Sequence, residues 1–308
     1  MEQYIFAILQ GVAQGLTEFL PVSSSGHLNI LQHFFGITEG NLFFNVMLHI
    51  GTLVSVCFFY RKLIARLIKS FVSLVKDVFT GKFSFKNMDE DRNLVVMLII
   101  GLVPLFLLFI PIGNDMKVKD LADIFSSDAS YFFVTGICLI VTSALLLMGI
   151  LMSKRTKRLV AEKKANPKDR YNVFDALTVG CVQAVAAIFP GISRSGSTLA
   201  AGQLRGIDKQ KALDYTFVLG MPAIIAAAVL EGADLISSPE VFASVNFGAV
   251  ILGMVVAAVV GYFSIALFKW LLKTDKTYVF VIYTAVAGLI VLAVSIYEKT
   301  SGNIVTFV

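Results

Sequence analysis

Apolar runs of membrane-crossing length alternate with short charged connections along the whole chain. A helix that spans a bilayer needs about 20 predominantly apolar residues. Six stretches meet that length plainly: 42–60, 94–112, 131–152, 212–231, 246–268 and 278–297. Two more are apolar but interrupted. Residues 4–31 contain Pro21 and a serine run, and residues 173–203 contain Pro190 and the segment GISRSGST. Proline lacks a backbone N–H and disfavours helix in the residue before it, so each interrupted stretch predicts a helix, a break and a second helix. Non-helical backbone at membrane depth is tolerable only when buried in protein or facing a wet cavity.

The basic residues orient the spans. Of the 26 Lys and Arg, 22 fall in the connections 61–93, 153–170, 204–211 and 269–277. If these four lie in the cytoplasm, the six spans alternate without contradiction. Span 42–60 then runs inward, so the first broken segment leaves on the outside. The second broken segment begins and ends on the cytoplasmic side, which makes it re-entrant. By analogy the first is a hairpin entering from the outer face, although a seventh full span over residues 4–20 stays open. A shift of 169 residues lays Gly11, Gln14, Pro21 and Ser24 on Gly180, Gln183, Pro190 and Ser193; one residue more lays Ser23–Gly26 on Ser193–Gly196. One hairpin plus three spans per repeat is an odd number, which inverts the second copy. The expected fold is an all-α polytopic membrane protein, with six transmembrane helices and two re-entrant hairpins in an inverted-topology repeat. It would form one integral membrane domain over residues 1–308, with repeats at about 1–152 and 173–297.

Composition agrees with this pattern. The chain is 57% hydrophobic and 15% charged, with a mean hydropathy of +0.80. A soluble chain is nearer half apolar and a quarter charged. The net charge of +5 marks cytoplasmic loops rather than a nucleic-acid surface. Cys57, Cys138 and Cys181 sit in apolar runs at unrelated spacings and read as packing residues, not as a disulfide or metal framework. The start, Met-Glu-Gln, lacks the basic region of a signal peptide, so the first apolar stretch is expected to remain in the mature protein.

The two breaks carry the polar chemistry. Gln14 and Glu18, four residues apart, share a helix face. Pro21, Ser23, Ser24, Ser25, Gly26 and His27 follow, so a carboxylate, hydroxyls and an imidazole lie within a turn or two of the break. These groups can bind a metal, activate a hydroxyl or move a proton. The second break offers Ser193, Ser195, Ser197 and Thr198 and a helix N-terminus, which is a natural anion site. Arg194 is the one basic residue at this depth, and its planar fork of donors suits phosphate oxygens. Ser25, Ser197 and Thr198 are assigned to backbone satisfaction. Glu18, His27 and Arg194 are assigned to function, the default for ionisable groups inside a membrane. Gln14 can also serve merely as an interhelical hydrogen-bonding group. His33 is expected in an outer loop, and His49 either serves the cavity or bridges helices.

Read together, QGVAQGLTEFLPVSSSGHL (residues 10–28) and PGISRSGST (residues 190–198) resemble the undecaprenyl-diphosphatase, or bacitracin-resistance, family of bacterial membrane proteins. LHIGTL (residues 48–53) is similar to the family as well. The resemblance covers nearly the whole chain. It implies removal of the terminal phosphate from undecaprenyl diphosphate, which recycles the lipid carrier of cell-wall synthesis, in the bacterial cytoplasmic membrane. It also implies the fold inferred above. Its functional positions fall on Glu18, Ser24, His27 and Arg194, with Gln14 at the first acid-or-amide position. An amide is a weaker ligand for a hard divalent cation than a carboxylate, so Gln14 departs from a two-carboxylate metal site.

The mechanism expected from these residues divides the labour. Arg194, with Gln14, Ser23, Ser193 and Ser195, would bind the diphosphate. Ser24 or Ser23 would attack or position water, and His27 would move the proton. Glu18 would orient His27 or hold Mg²⁺ or Ca²⁺ bridging the phosphates. Catalysis is expected on the extracytoplasmic face. A lipid flippase is the alternative, because inverted repeats with broken helices are typical of transporters. A phosphatidic-acid-phosphatase-like enzyme is disfavoured, because no histidine follows His49.

Overall fold

The computed structural model describes residues 2–306 apart from 36–41, 83, 85–87, 114–115, 128, 165–167 and 237–244. Twelve α-helices carry the described chain: α1 Glu2–Phe19, α2 Ser24–Phe34, α3 Leu42–Phe59, α4 Arg61–Phe79, α5 Glu90–Leu102, α6 Asp120–Ser127, α7 Phe132–Ala161, α8 Val173–Ile188, α9 Arg194–Leu204, α10 Lys209–Ile236, α11 Phe247–Lys273 and α12 Tyr278–Ser301. Pro104 turns the end of α5 into a 3₁₀ stretch, Val103–Phe109, and a short antiparallel pair, β1 Pro111–Gly113 and β2 Met116–Lys117, follows it. Among the described residues, α5 with its extension, α7, α10, α11 and α12 are each long and apolar enough to cross a membrane. α3, bent by 85° into α4, supplies the sixth span.

The bend makes α4 something other than the loop expected over residues 61–93. Its 19 residues carry five basic side chains on one side. Leu67 and Leu74 are buried on the other, while Ile68, Phe71, Val72, Val75, Val78 and Phe79 leave an apolar strip uncovered. A helix of that pattern, turned across the end of a span, has the character of one that lies in the plane of a membrane interface. Arg92 on α5 ties it down, bonding Asp77 at 2.9 Å and the Ser73 hydroxyl.

Packing identifies both broken segments as hairpins. Glycines bring α1 against α11: a Cβ at Gly11 would lie 2.7 Å from the Gly253 carbonyl oxygen, and one at Gly15 would lie 2.9 Å from that of Ala257. Both sequences advance together, so the helices are parallel and α1 starts where α11 starts. α2 returns along α12: His27 meets Tyr283 near its beginning, and His33 meets Glu298 near its end. The start of α11 and the end of α12 lie on one side of the molecule, so the α1–α2 pair enters and leaves there. That excludes a full span over 4–20. The same contacts place His33 within α2, its ring stacked 3.8 Å from Phe132, rather than in the expected outer loop.

The α8–α9 hairpin is the counterpart. α8 packs parallel to α5, where Gly180 sits against the Gly101 carbonyl and Gly101 faces Ala176. Its mouth is on the side that carries the basic connections. There Asp175, fully buried, accepts from Arg205 at 2.7 Å and from Lys168 at 3.2 Å, and closes a capping box with Asn172 at the start of α8. Replacing Asp175 by Ala should cost about 2–3 kcal/mol. Breaking a fully buried pair costs ~3–5 kcal/mol, but Arg205 and Lys168 keep part of their surface in water, while a lost cap adds ~1. Thermal unfolding in detergent measures it.

Where the hairpins meet, Phe19, Phe217, Phe268 and Phe280 form an edge-to-face series. This aromatic core, with Tyr215 and Leu213 fully buried beside it, fixes α1, α10, α11 and α12 around the tips.

Candidate active site

The tips share one hydrogen-bond pattern. Ser23 caps α2 and accepts the Gly26 N–H at 3.2 Å; Ser193 caps α9 and accepts the Gly196 N–H at 3.0 Å. Each cap hydroxyl also lies 3.3 Å from the hydroxyl two residues on, Ser25 in one hairpin and Ser195 in the other. Contacts between the tips are exchanged in the same way. A Cβ at Gly26 would stand 2.9 Å from Cα of Gly191, and one at Gly196 would stand 3.1 Å from Cβ of Pro21. The two contacts are near counterparts: Gly26 and Gly196 are equivalent by the 170-residue shift, and Pro21 and Gly191 each lie in the opposite break.

The shift is 169 before the breaks and 170 after them because the second break is one residue longer. Its turn is made at Gly191, with φ +98°, where glycine is at no steric disadvantage. Whereas the cap Ser193 is at φ −66°, the shorter first break puts the positive φ on its own cap residue, Ser23 at φ +73°. Such a conformation costs about 1–2 kcal/mol and persists only when neighbours enforce it. His27 does so twice, through its backbone N–H at 3.2 Å and its ring Nδ1 at 2.8 Å, both on the Ser23 carbonyl.

Both Ser23 and Ser193, expected to contact substrate, have a capping role in the fold. Replacing either by Ala should destabilise the protein by about 1 kcal/mol, the usual worth of an N-cap. The two losses should match because the bonds match, and denaturant-free thermal scans of the pair of variants check this. Ser197 and Thr198 bond the Arg194 carbonyl at 3.3 and 2.7 Å, in keeping with their assignment to the backbone.

Glu18 is the centre of the site. Buried at the end of α1, it accepts the amide of Gln14 at 2.9 Å on Oε2. The Ser24 hydroxyl donates to that same oxygen at 2.6 Å. On Oε1 it is held by the guanidinium of Arg194, reaching from the opposite hairpin. Arg194 is steadied in turn by the Gly220 carbonyl of α10 at 3.2 Å. Ser195 reaches back across the tips to the Leu20 carbonyl at 3.4 Å. Ser24 and Arg194 are the first residues of α2 and α9 and are related by the 170-residue shift, so equivalent positions deliver a hydroxyl and a cation to one carboxylate.

The histidines are placed differently from expectation. His27 does not turn its ring to Glu18. A carbonyl only accepts, so Nδ1 carries the proton given to Ser23, and Nε2 accepts the Tyr283 hydroxyl at 2.7 Å. The imidazole facing Glu18 belongs to His49, whose Nε2 is 3.4 Å from Oε2 while Nδ1 donates to the Asn45 carbonyl at 2.8 Å. Its side chain is partly open, 28% exposed, against 3% for Glu18. Sequence pattern left His49 undecided between two roles and missed Tyr283, which lies in an unbroken apolar span with no local signal.

The residues present do not build an all-protein cage of the kind Ca²⁺ takes, but Glu18 is a carboxylate that could hold a divalent cation together with the oxygens of a diphosphate. Ca²⁺ takes six to eight oxygen ligands, whereas Mg²⁺ is usually held by one or two carboxylates together with waters and substrate phosphates. Glu18 stands alone as an acid here, with Arg194, Gln14 and Ser24 already on its oxygens. No cluster of three or more His, Cys, Asp or Glu occurs among the described residues. In this structure one oxygen of that carboxylate is bonded to the Arg194 guanidinium.

Comparison with known proteins agrees with the resemblance in the two boxes. The chain is 38% identical over 296 residues to the undecaprenyl-diphosphatase of Alkaliphilus metalliredigens, covering 94% of this chain and 98% of that one. It is 37% identical to that of Desulfatibacillum aliphaticivorans, with 87% and 89% covered, and 32% identical to that of Methanosphaera stadtmanae, with 96% and 99% covered. The family model described as Bacitracin resistance protein BacA matches residues 7–290, and the chain belongs to that family.

Proposed function

We propose that this multi-pass membrane protein is an undecaprenyl-diphosphatase, which hydrolyses undecaprenyl diphosphate to undecaprenyl phosphate and inorganic phosphate. The observation that carries the reading is the convergence of Ser24 and Arg194, from opposite hairpins, on the two oxygens of Glu18. A hydroxyl bonded to a carboxylate is an activated nucleophile. A guanidinium beside it neutralises charge on a transferring phosphoryl group.

The diphosphate draws Arg194 onto its oxygens and leaves Glu18 free to act as base. Ser24 Oγ attacks the terminal phosphorus, its proton passing to Glu18. The bridging P–O bond breaks and undecaprenyl phosphate departs, taking up a proton that His49 is placed to relay. Water then attacks the phosphoserine, releasing inorganic phosphate and restoring Ser24. His27 acts on the backbone, holding the Ser23 peptide and with it the position of Ser24. The isoprenoid chain stays in the lipid between spans.

By the excess of basic residues on one side, the α1–α2 hairpin opens to the extracytoplasmic face of the bacterial cytoplasmic membrane. The test is phosphate release from C55 diphosphate by the purified protein, followed by the same assay in vesicles with substrate confined to one leaflet. A folded, monodisperse protein that releases no phosphate would refute the activity. Release confined to the cytoplasmic leaflet would refute the placement.

A further inference from the structure

Several helical threonines in this protein satisfy their hydroxyls on their own backbone. Thr17, Thr178, Thr198 and Thr284 each donate to the carbonyl four residues back, at 2.7–2.8 Å. Thr216, in the first third of α10, does not. It is 4% exposed, and its hydroxyl has no hydrogen-bond partner. The helix around it is fixed: the Tyr215 hydroxyl is fastened to the Met97 carbonyl at 2.7 Å, and Phe217 is locked against Phe19 and Phe268.

Thr216 lines a small cavity of about 10 Å³ whose other polar walls are Glu18, Arg194 and Ser195. That volume admits the centre of about one water molecule. An apolar cavity stays dry, but a cavity with several hydrogen-bonding walls holds a water that makes roughly three bonds and is costly to remove. A phosphoryl group needs more room than this space provides, and Phe19 and Phe217 close it on the apolar side.

We infer that Thr216 anchors a single internal water against the Glu18–Arg194 pair, making Thr216 a positioning residue of the site. The water accepts from Arg194 and donates to Glu18, with the Thr216 hydroxyl completing its shell. It stays bonded to Glu18 when Arg194 moves to the diphosphate, so the carboxylate is never left unsolvated during turnover. The catalytic part of this inference rests on the phosphatase reading; the presence of the water does not.

Thr216→Val keeps the shape and removes the hydroxyl, and Thr216→Ser keeps the hydroxyl and removes the methyl. Without a water, the valine would replace an unsatisfied buried hydroxyl by a methyl and raise Tm. With the water, valine strands it and lowers Tm, by about 2–4 °C for each lost bond. A Tm that is unchanged or raised in the valine variant overturns the inference, whether or not the protein is active. In the phosphate-release assay, Thr216→Val should lower kcat about tenfold with KM unchanged, while Thr216→Ser stays within about twofold of the parent. Wild-type kcat in the valine variant overturns the positioning role. So do equal losses in both variants, and so does a rise in KM alone, which would put the hydroxyl on the substrate. Absence of activity in the parent protein counts against the phosphatase reading alone, and the Tm comparison then decides the water.

Discussion

Arg194→Ala should lower kcat/KM for phosphate release by about 10³-fold or more, equivalent to ~4 kcal/mol of transition-state stabilisation. An arginine acting on a transferring phosphoryl group is worth roughly 10³–10⁵. Among the described residues no second guanidinium stands ready to replace it: the Gly220 carbonyl and Glu18 accept hydrogen bonds, Ser193 caps its helix, and Ser24 and Ser195 donate to Glu18 and the Leu20 carbonyl. The variant also strips a buried carboxylate of its counter-ion, so part of any loss could come from unfolding. Arg194→Lys separates the two effects. Lysine keeps the charge beside Glu18 and loses the planar fork, so it should fold like the parent and still lose ~10–100-fold. Purified variants of matched monodispersity, assayed for phosphate release, give the comparison. Arg194→Ala within tenfold of the parent would contradict the role.

Ser24→Ala should be comparably severe, and its size tells the nucleophile from a residue that only positions water. Loss of a nucleophile leaves only the catalysis supplied by binding and electrostatics, so a fall of ~10³-fold or more is expected. Loss of one hydrogen bond to a water would cost nearer tenfold. The Ser24 hydroxyl donates to Glu18 at 2.6 Å, while the neighbouring Ser23 is spent on the Gly26 N–H, so Ser23→Ala should retain most of kcat. Acid quenching during turnover of terminally labelled substrate should trap phosphate on Ser24. Turnover without label on the protein, together with a tenfold effect of Ser24→Ala, would assign the attack to water.

The spans were legible because a bilayer imposes a length that apolar runs must meet, and the breaks because Pro21 and Pro190 interrupt them. Helix α4 was not, since its charges mark a connection whether or not that connection is helical. Of the site, Gln14, Glu18, Ser24 and Arg194 stood out as polar groups at depth, and the structure does bring them together. Their mutual bonds were hidden, because Glu18 and Arg194 are 176 residues apart and only tertiary packing joins them. His27 shows the limit most clearly. Its residue type and neighbourhood suggested proton transfer, yet both ring nitrogens are committed to the Ser23 carbonyl and Tyr283. His49, in a plain apolar run, faces the acid instead.

The exchanged contacts at the tips have a consequence for what counts as the enzyme. Two-fold related hairpins would ordinarily make two centres, but the position matching Glu18 is Ala187. Gln183, which matches Gln14, keeps a buried amide with no hydrogen-bond partner. One half therefore owns the acid and the hydroxyl, and the other owns the cation. Cut between Ala161 and Val173, each fragment should be inert alone, and activity should return only on complementation, when both are made in the same membrane.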